Sequence, residues 1–240
     1  MINFDVRHYD SIGSTNDEAM RLARDGAAHG TVVCAREQTA GRGRHARHWH
    51  SPVGNLYASL LLRPDAPPGK AGELSFVSAL AVADTVDRFL PDGVRAELKW
   101  PNDVLVRGAK IAGILLEYAE PAVIIGIGLN IRHVPSETSY PVTSLTDRGA
   151  GVKDPEPVLQ ALLPAFARRF VDWQTAGFAN TRGDWLTRAH SPGSPITITI
   201  AGRSIAGRFA DLAPDGALII ETGDGERRFV AGEVSLLPMT

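Results

Sequence analysis

The sequence predicts an α+β fold closed by a small all-β unit, and three observations carry that expectation. Residues 74–90 and 155–173 repeat apolar side chains at helical spacing, while residues 111–118 and 122–131 are continuous apolar runs of strand character. A linker-like stretch, His190-Ser191-Pro192-Gly193-Ser194-Pro195, then marks a change of composition. Beyond it, short alternating segments are separated by Ala-Gly, Pro-Asp-Gly and Gly-Asp-Gly turns, as in a small β-barrel. The expected division is one domain over residues 1–189 and a second over residues 190–240.

Each element has its own signal. Residues 11–24 open with polar side chains and continue into Ala19, Met20, Leu22 and Ala23, a short helix whose Thr15 and Glu18 suit a capping box. Residues 31–36 and 55–63 read as strands, the second carrying Leu60-Leu61-Leu62. Leu74, Val77, Ala81, Val82, Val86 and Phe89 set the next helix. Residues 95–100 and 104–106 flank a Pro-Asn-Asp turn, giving a hairpin or a bent strand. The two apolar runs that follow are expected to be strands buried on both faces. Leu159, Leu162, Leu163, Phe166, Phe170 and Trp173 share one helical face. Pro164 costs about 3 kcal/mol in a helix interior, so a kink or break is expected there. Strands are expected at 196–200, 204–210, 217–221 and 227–230.

Composition excludes several classes. The 240 residues are 44% hydrophobic and 22% charged, with 25 basic against 27 acidic side chains and a formal charge of −2. That is ordinary globular composition, and no apolar run approaches the roughly 20 residues of a membrane span. The N-terminus lacks a basic stretch followed by an apolar one, so no secretory signal is expected. Cys34 stands alone in an apolar run and reads as a packed core thiol, which fits a reducing cytoplasm. Near-neutrality speaks against a nucleic-acid coat. The charge is uneven, however: residues 36–51 hold four arginines and three of the seven histidines against Glu37.

That basic stretch contains Gln38-Thr39-Ala40-Gly41-Arg42-Gly43-Arg44-His45-Ala46-Arg47-His48-Trp49. Alternating glycines let a backbone fold tightly while guanidinium forks converge on an anion. A solvated loop, or an RNA-binding Arg-Gly run, fits the same residues. No periodic helix follows, which sets aside a dinucleotide fingerprint. The spacing of His45, His48 and His50 matches no common zinc pattern, so no metal site is assigned. Lys110 opens an apolar strand, where it can either edge a pocket and neutralise phosphate charge or snorkel to solvent. Gly113 lets backbone approach a ligand. Gly126 and Gly128 strip one strand face, leaving either a slot for a flat group or room for a packed neighbour. Asn130, at that strand's end, suits a base edge or a turn.

Taken together, Ser14-Thr15-Asn16, Gln38 with Gly41-Arg42-Gly43-Arg44-x-x-Arg47-x-Trp49, Lys99-Trp100-Pro101-Asn102-Asp103, Lys110-x-x-Gly113-Ile114 and Gly126-x-Gly128-x-Asn130 resemble the biotin–protein ligases in order and spacing. The resemblance extends over nearly the whole chain, to Gly232-Glu233-Val234-Ser235-Leu236. One departure is Ala46, where the family more often has glycine; its methyl bears on how the loop folds over a ligand. A second is that the catalytic region begins almost at once, so the helix-turn-helix repressor module of some bacterial members is not expected.

The resemblance implies a mixed β-sheet catalytic domain like those of class II synthetases, with an SH3-like C-terminal barrel. It implies biotin activation by ATP, with Mg²⁺ accompanying the nucleotide, and transfer to a lysine of a biotin carboxyl carrier protein. Ser14, Thr15, Asn16, Gln38 and Gly113 are then biotin contacts. Arg42 and Lys110 face its carboxylate and the phosphate, while Arg44 acts with them in catalysis. Arg44, Arg47, Trp49 and Asn130 form the nucleotide side. Asp103 has three candidate roles: orienting the acceptor lysine, binding metal, or fixing the turn. A homodimer is among the states the resemblance allows; no nucleic acid or membrane partner is expected. Lipoate–protein ligase chemistry, an Arg-Gly nucleic-acid module and a biotin sensor are the alternatives.

Overall fold

The computed structural model describes residues 2–189, 193–200 and 202–236, so His190, Ser191 and Pro192 of the expected linker lie outside the described residues. The first unit contains strands β1 (Asp5–Ile12), β2 (Thr31–Gln38), β3 (Leu56–Leu62), β4 (Ala96–Lys99), β5 (Asp103–Val106), β6 (Ala109–Ala119) and β7 (Ala122–Leu129). Its helices are α1 (Thr15–Arg24), α2 (Leu74–Asp87), α3 (Pro155–Ala176) and α4 (Phe178–Thr187). The strands form one sheet in the order β1-β2-β3-β7-β6-β5-β4. β1 and β2 are parallel across the α1 crossover and the other neighbours are antiparallel, so the sheet is mixed.

Side-chain alternation gives this sheet two different faces. Val123, Ile125, Ile127 and Leu129 of β7 join β3 residues Leu56, Leu60 and Leu62 in a core covered by α2 and α3. On the opposite face Ala122 and Ile124 pack with Val33, Leu61 and the α1 residues Ala19, Leu22 and Ala23. Further along that second face β7 places Gly126 and Gly128, and their β6 partners are Leu115 and Gly113. The side of the sheet that α1 leaves uncovered is therefore lined by glycine.

The structure departs from the sequence-based expectations at several elements. β1 was not foreseen: its residues are mostly exposed or half-buried at the sheet edge, and Asp5–Ile12 lacks a clean apolar alternation. β6 is not buried on both faces; Gly113 and Leu115 are only half-buried because their side of the strand faces a cavity. Thr15 does not form a capping box. Ser14 is the N-cap residue, and the Thr15 hydroxyl donates instead to Gln38 Oε1 at 3.1 Å. Pro164 does not break its helix, for α3 runs from Pro155 to Ala176 with Pro164 inside. That proline sits on the exposed face, where water can satisfy the carbonyl it deprives. Asp154 caps the same helix, its carboxylate accepting from the Glu156 amide at 2.9 Å.

Strands β8 (Pro195–Ile200), β9 (Arg203–Leu212), β10 (Leu218–Thr222), β11 (Gly225–Phe229) and β12 (Glu233–Leu236) form the second unit. Their order, β11-β10-β9-β8-β12, makes an antiparallel sheet whose end strands are not paired to each other, so the expected barrel is open. The core is continuous despite the linker-like composition before it. Ile198, Phe209, Leu212 and Ile220 belong to the same hydrophobic cluster as α2 and α3. The Trp100 indole N–H donates to the Gly216 carbonyl at 3.0 Å, tying the β4–β5 turn to this sheet. Cys34 is buried in the large core, and burial pushes its thiol up to about 12, as befits an inert core residue.

Candidate active site

The cavity lies on the glycine-lined face of the large sheet, between the start of α1, the loop after β2, the β4–β5 turn and β12. Its end nearest α1 is a buried polar floor. Thr15 donates both its amide (2.8 Å) and its hydroxyl (3.1 Å) to Gln38 Oε1, leaving the Gln38 amide to donate to Ser51 Oγ at 3.0 Å. The Ser51 hydroxyl continues to the Trp49 carbonyl at 2.9 Å. Burying so many polar groups is tolerable because each has a partner.

The Gly-Arg loop folds back on itself over this floor. The Trp49 amide donates to Gly41 O at 2.9 Å, and the Gly43 amide to Arg47 O at 2.8 Å. At Gly41 a Cβ would stand 2.5 Å from Ser51 Oγ and 2.7 Å from the Trp49 carbonyl, so no side chain fits there. His45 and Ala46 both adopt φ 55°, the left-handed region. Ala46 thus bears its methyl in a conformation that costs about 1 kcal/mol without glycine, which is the physical content of that departure from the family pattern.

Trp49 fills the slot expected from the alternating glycines. A Cβ on Gly128 would lie 2.5–2.8 Å from three of its indole atoms, and one on Gly113 3.2 Å from a fourth. The flat group in that slot is therefore a side chain of this protein. Its ring also lies 5.3 Å from Lys110 Nζ. Among the described residues, the Trp49 indole nitrogen is the one buried side-chain polar atom without a hydrogen-bond partner. Gly126 has a different occupant, since a Cβ there would meet Asn16 Oδ1 at 2.3 Å.

The cations are held in distinct ways. Lys110 and Lys99 share Asp103, with Nζ–carboxylate distances of 2.6 and 2.8 Å. Burial would raise the Asp103 carboxyl, and the two ammonium groups more than offset it, holding it below its ordinary value. Arg44 donates to the Gly232 carbonyl at 3.2 Å, and burial lowers its guanidinium against the opposing pull of Asp103 and Glu233. Arg47 is ion-paired with Glu233. Arg42 has its charge compensated: it reaches Asp17 at 2.8 Å and Glu117 at 2.9 Å, and contacts Ser14 Oγ at 3.3 Å. The Asp17 carboxylate, joined by Glu117, outweighs burial and raises Arg42 above the ordinary arginine range.

Ser14, Thr15, Asn16, Gln38, Arg42, Arg44, Arg47, Trp49, Asp103, Lys110 and Gly113 all line this cavity. Asn130 does not. Its buried amide donates to the Thr143 carbonyl at 3.1 Å, fastening the end of β7 to the next segment. Residues outside the expected set also line the site, among them Tyr140, whose ring lies 5.5 Å from Lys110 Nζ, and Glu233, while Glu117 bears on it from behind through Arg42. Glu117 was findable, since it continues the period-two face of Gly113 and Leu115. Tyr140 sits between elements and offered no such signal. Among the described residues no three His, Cys, Asp or Glu side chains gather to hold a metal ion, and both Asp103 oxygens are engaged by lysines. The described residues supply no magnesium cage of their own, and Mg²⁺ is expected only as the companion of ATP.

Comparison with known proteins matches this arrangement. Residues 10–130 fit the biotin/lipoate A/B protein ligase family, and residues 193–237 fit the biotin protein ligase C terminal domain. A biotin–[acetyl-CoA-carboxylase] ligase of Paracoccus denitrificans is 41% identical over 232 residues, covering 92% of this chain and 96% of its own. One from Mycobacterium tuberculosis is 36% identical, covering 92% and 85%. The solved biotin protein ligase of Aquifex aeolicus in complex with biotin and ATP superposes with a TM-score of 0.85 at 28% identity, covering 98% and 99% of the two chains.

Proposed function

The chain belongs to the biotin/lipoate A/B protein ligase family, and on that premise we propose how its residues divide the work of an ATP-dependent biotin ligase. The carboxylate of biotin attacks the α-phosphorus of ATP, giving biotinyl-5′-AMP and releasing pyrophosphate. A lysine amine of a biotin carboxyl carrier protein then attacks the acyl carbon, forms the amide, and releases AMP. The observation that carries this reading is the meeting, at one cavity, of a buried polar floor with Arg44, which donates to a backbone carbonyl, and Lys110, which shares a single carboxylate with Lys99.

Ser14, Thr15, Asn16 and Gln38 at the closed end suit the ureido ring, a compact group with both donors and acceptors, and Gly113 lets backbone come close beside them. The first chemical step brings two anions together. Arg44 and Lys110 lower that repulsion and stabilise charge developing at the α-phosphorus. Trp49, seated on Gly128, gives the adenine a flat surface. Arg44 and Arg47 bind the loop to Gly232 and Glu233, so the C-terminal unit helps keep water from the mixed anhydride. We place the boundary between the two units at residues 189/190 and the reaction in the cytoplasm. No helix of the described residues is long and apolar enough to cross a membrane.

Incubation with a purified biotin carboxyl carrier domain, ATP, Mg²⁺ and biotin should add one biotinyl group to the acceptor, read by mass. An acceptor of unchanged mass overturns the proposal, and a gain only when lipoate replaces biotin selects the other branch of the family. A second expectation concerns Trp49. Gly128→Ala forces the indole from its seat, so KM for ATP should rise about tenfold while KM for biotin changes less than about twofold. Equal changes in both constants would show that Trp49 does not serve the nucleotide alone.

A further inference from the structure

Beneath the cavity runs a chain of hydrogen bonds that begins and ends on the Gly-Arg loop. Glu117 accepts from Arg42 (2.9 Å) and from the Asn16 amide (2.7 Å). Asn16 Oδ1 lies 2.6 Å and Thr15 Oγ1 2.8 Å from the Ser59 hydroxyl, which is fully buried. Thr15 passes to Gln38, Gln38 to Ser51, and Ser51 to the Trp49 carbonyl. The one carboxylate in this chain of bonds is Glu117, on β6, where it touches both the start of α1 and the loop.

We propose that Glu117 is a positioning residue for biotin binding: by gripping Arg42 and Asn16 together it makes Arg42 a strut for the loop, not a cation presented to substrate. The inference rests on the biotin-ligase reading for its substrate but on the ligand-free geometry for its mechanism. Two carboxylates, Asp17 and Glu117, already surround the Arg42 guanidinium, so its field at an incoming anion is cancelled. Among the described residues Arg44 has a carbonyl as its one hydrogen-bonded partner, and Lys110 shares one carboxylate with a second lysine. Arg42 is therefore poorly suited to meet a carboxylate and well suited to fix Ser14, Asn16 and the first turn of the loop. The polar floor beside it keeps its donor and acceptor directions only while Asn16 is held from both sides.

The test is a double-mutant cycle with Glu117→Gln, Arg42→Gln and the pair, checked for folding by circular dichroism. Each single change should raise KM for biotin by about tenfold or more in the ATP–pyrophosphate exchange assay, with kcat moving less than about threefold. The double variant should be no more than about twofold worse than the poorer single one, because both remove one device. Multiplicative losses would mean that Arg42 acts on substrate independently of Glu117, and an unchanged KM in Glu117→Gln would equally overturn the proposal. Limited trypsin digestion without ligand is the second readout. Cleavage after Arg44 and Arg47 should quicken to the same degree in all three variants, and additive or unchanged rates would overturn the strut. Should the unmodified chain show no biotin-dependent exchange, the ligase reading fails while the digestion still decides the strut.

Discussion

Replacing Lys110 with alanine is expected to reduce biotin-dependent ATP–pyrophosphate exchange by about 10²–10³-fold in a chain that stays folded, and Arg44→Ala should do likewise. Folding survives because neither change strands a buried charge. Asp103 keeps Lys99 at 2.8 Å when Lys110 is removed, and among the described residues Arg44 gives up one hydrogen bond, to a carbonyl. The loss is kinetic because the two cations face charge that grows as the carboxylate approaches the phosphate, so kcat should fall further than KM rises. The expected factor corresponds to about 2.7–4 kcal/mol of transition-state stabilisation. Arg47→Ala should cost much less, since the Arg47 charge is already spent on Glu233. Near-normal exchange in both Lys110→Ala and Arg44→Ala would remove these residues from the activation step.

The site was legible in the sequence to the extent that its chemistry is local. Ser14-Thr15-Asn16, the Gly-Arg loop and Lys110 each stand as short patterns, and the fold brings all of them to one cavity. What was not legible is how those charges are partnered, because partners arrive from distant strands. Arg42 reads as a free cation along the chain, yet Glu117, 75 residues on, neutralises it. Thr15 reads as a helix cap because Glu18 follows it three residues later; in space Gln38 takes its hydroxyl across 23 residues. Asn130 follows two glycines that do face the site, but the strand ends there and its amide turns to Thr143. The fold shows the same division. β7 announces itself by an unbroken apolar run, whereas β1 owes its place to the parallel pairing with β2, which alternation along its own residues does not reveal. The small barrel is expected both from turn spacing and from the family resemblance, and neither determines whether β11 and β12 meet.

Asp103→Asn should destabilise the chain by about 3 kcal/mol, the lower part of the range for removing one partner of a buried ion pair. For a chain of this size that lowers the thermal midpoint by roughly 6–12 °C. Asp103 is 9% exposed and its carboxylate bridges Lys99 and Lys110, so the amide leaves two ammonium groups in a site built around an anion. The pH dependence distinguishes this cause from a loss of packing. Because the Asp103 carboxyl titrates below its ordinary value, its contribution is fully present above the unfolded-state value of about 4 and disappears as pH falls through the lower folded-state value. The stability gap between the parent chain and Asp103→Asn should accordingly be constant between about pH 5 and about pH 7, and should close on acidification below about pH 4. Adding Lys99→Met to Asp103→Asn should recover part of the loss by removing one of the two facing charges, although the Lys99 bond to the Val234 carbonyl at 3.1 Å goes with it. A gap that persists unchanged into acid, or a double variant weaker than the sum of its singles, would show that Asp103 matters for the shape of the β4–β5 turn and not for the charge it places between two lysines.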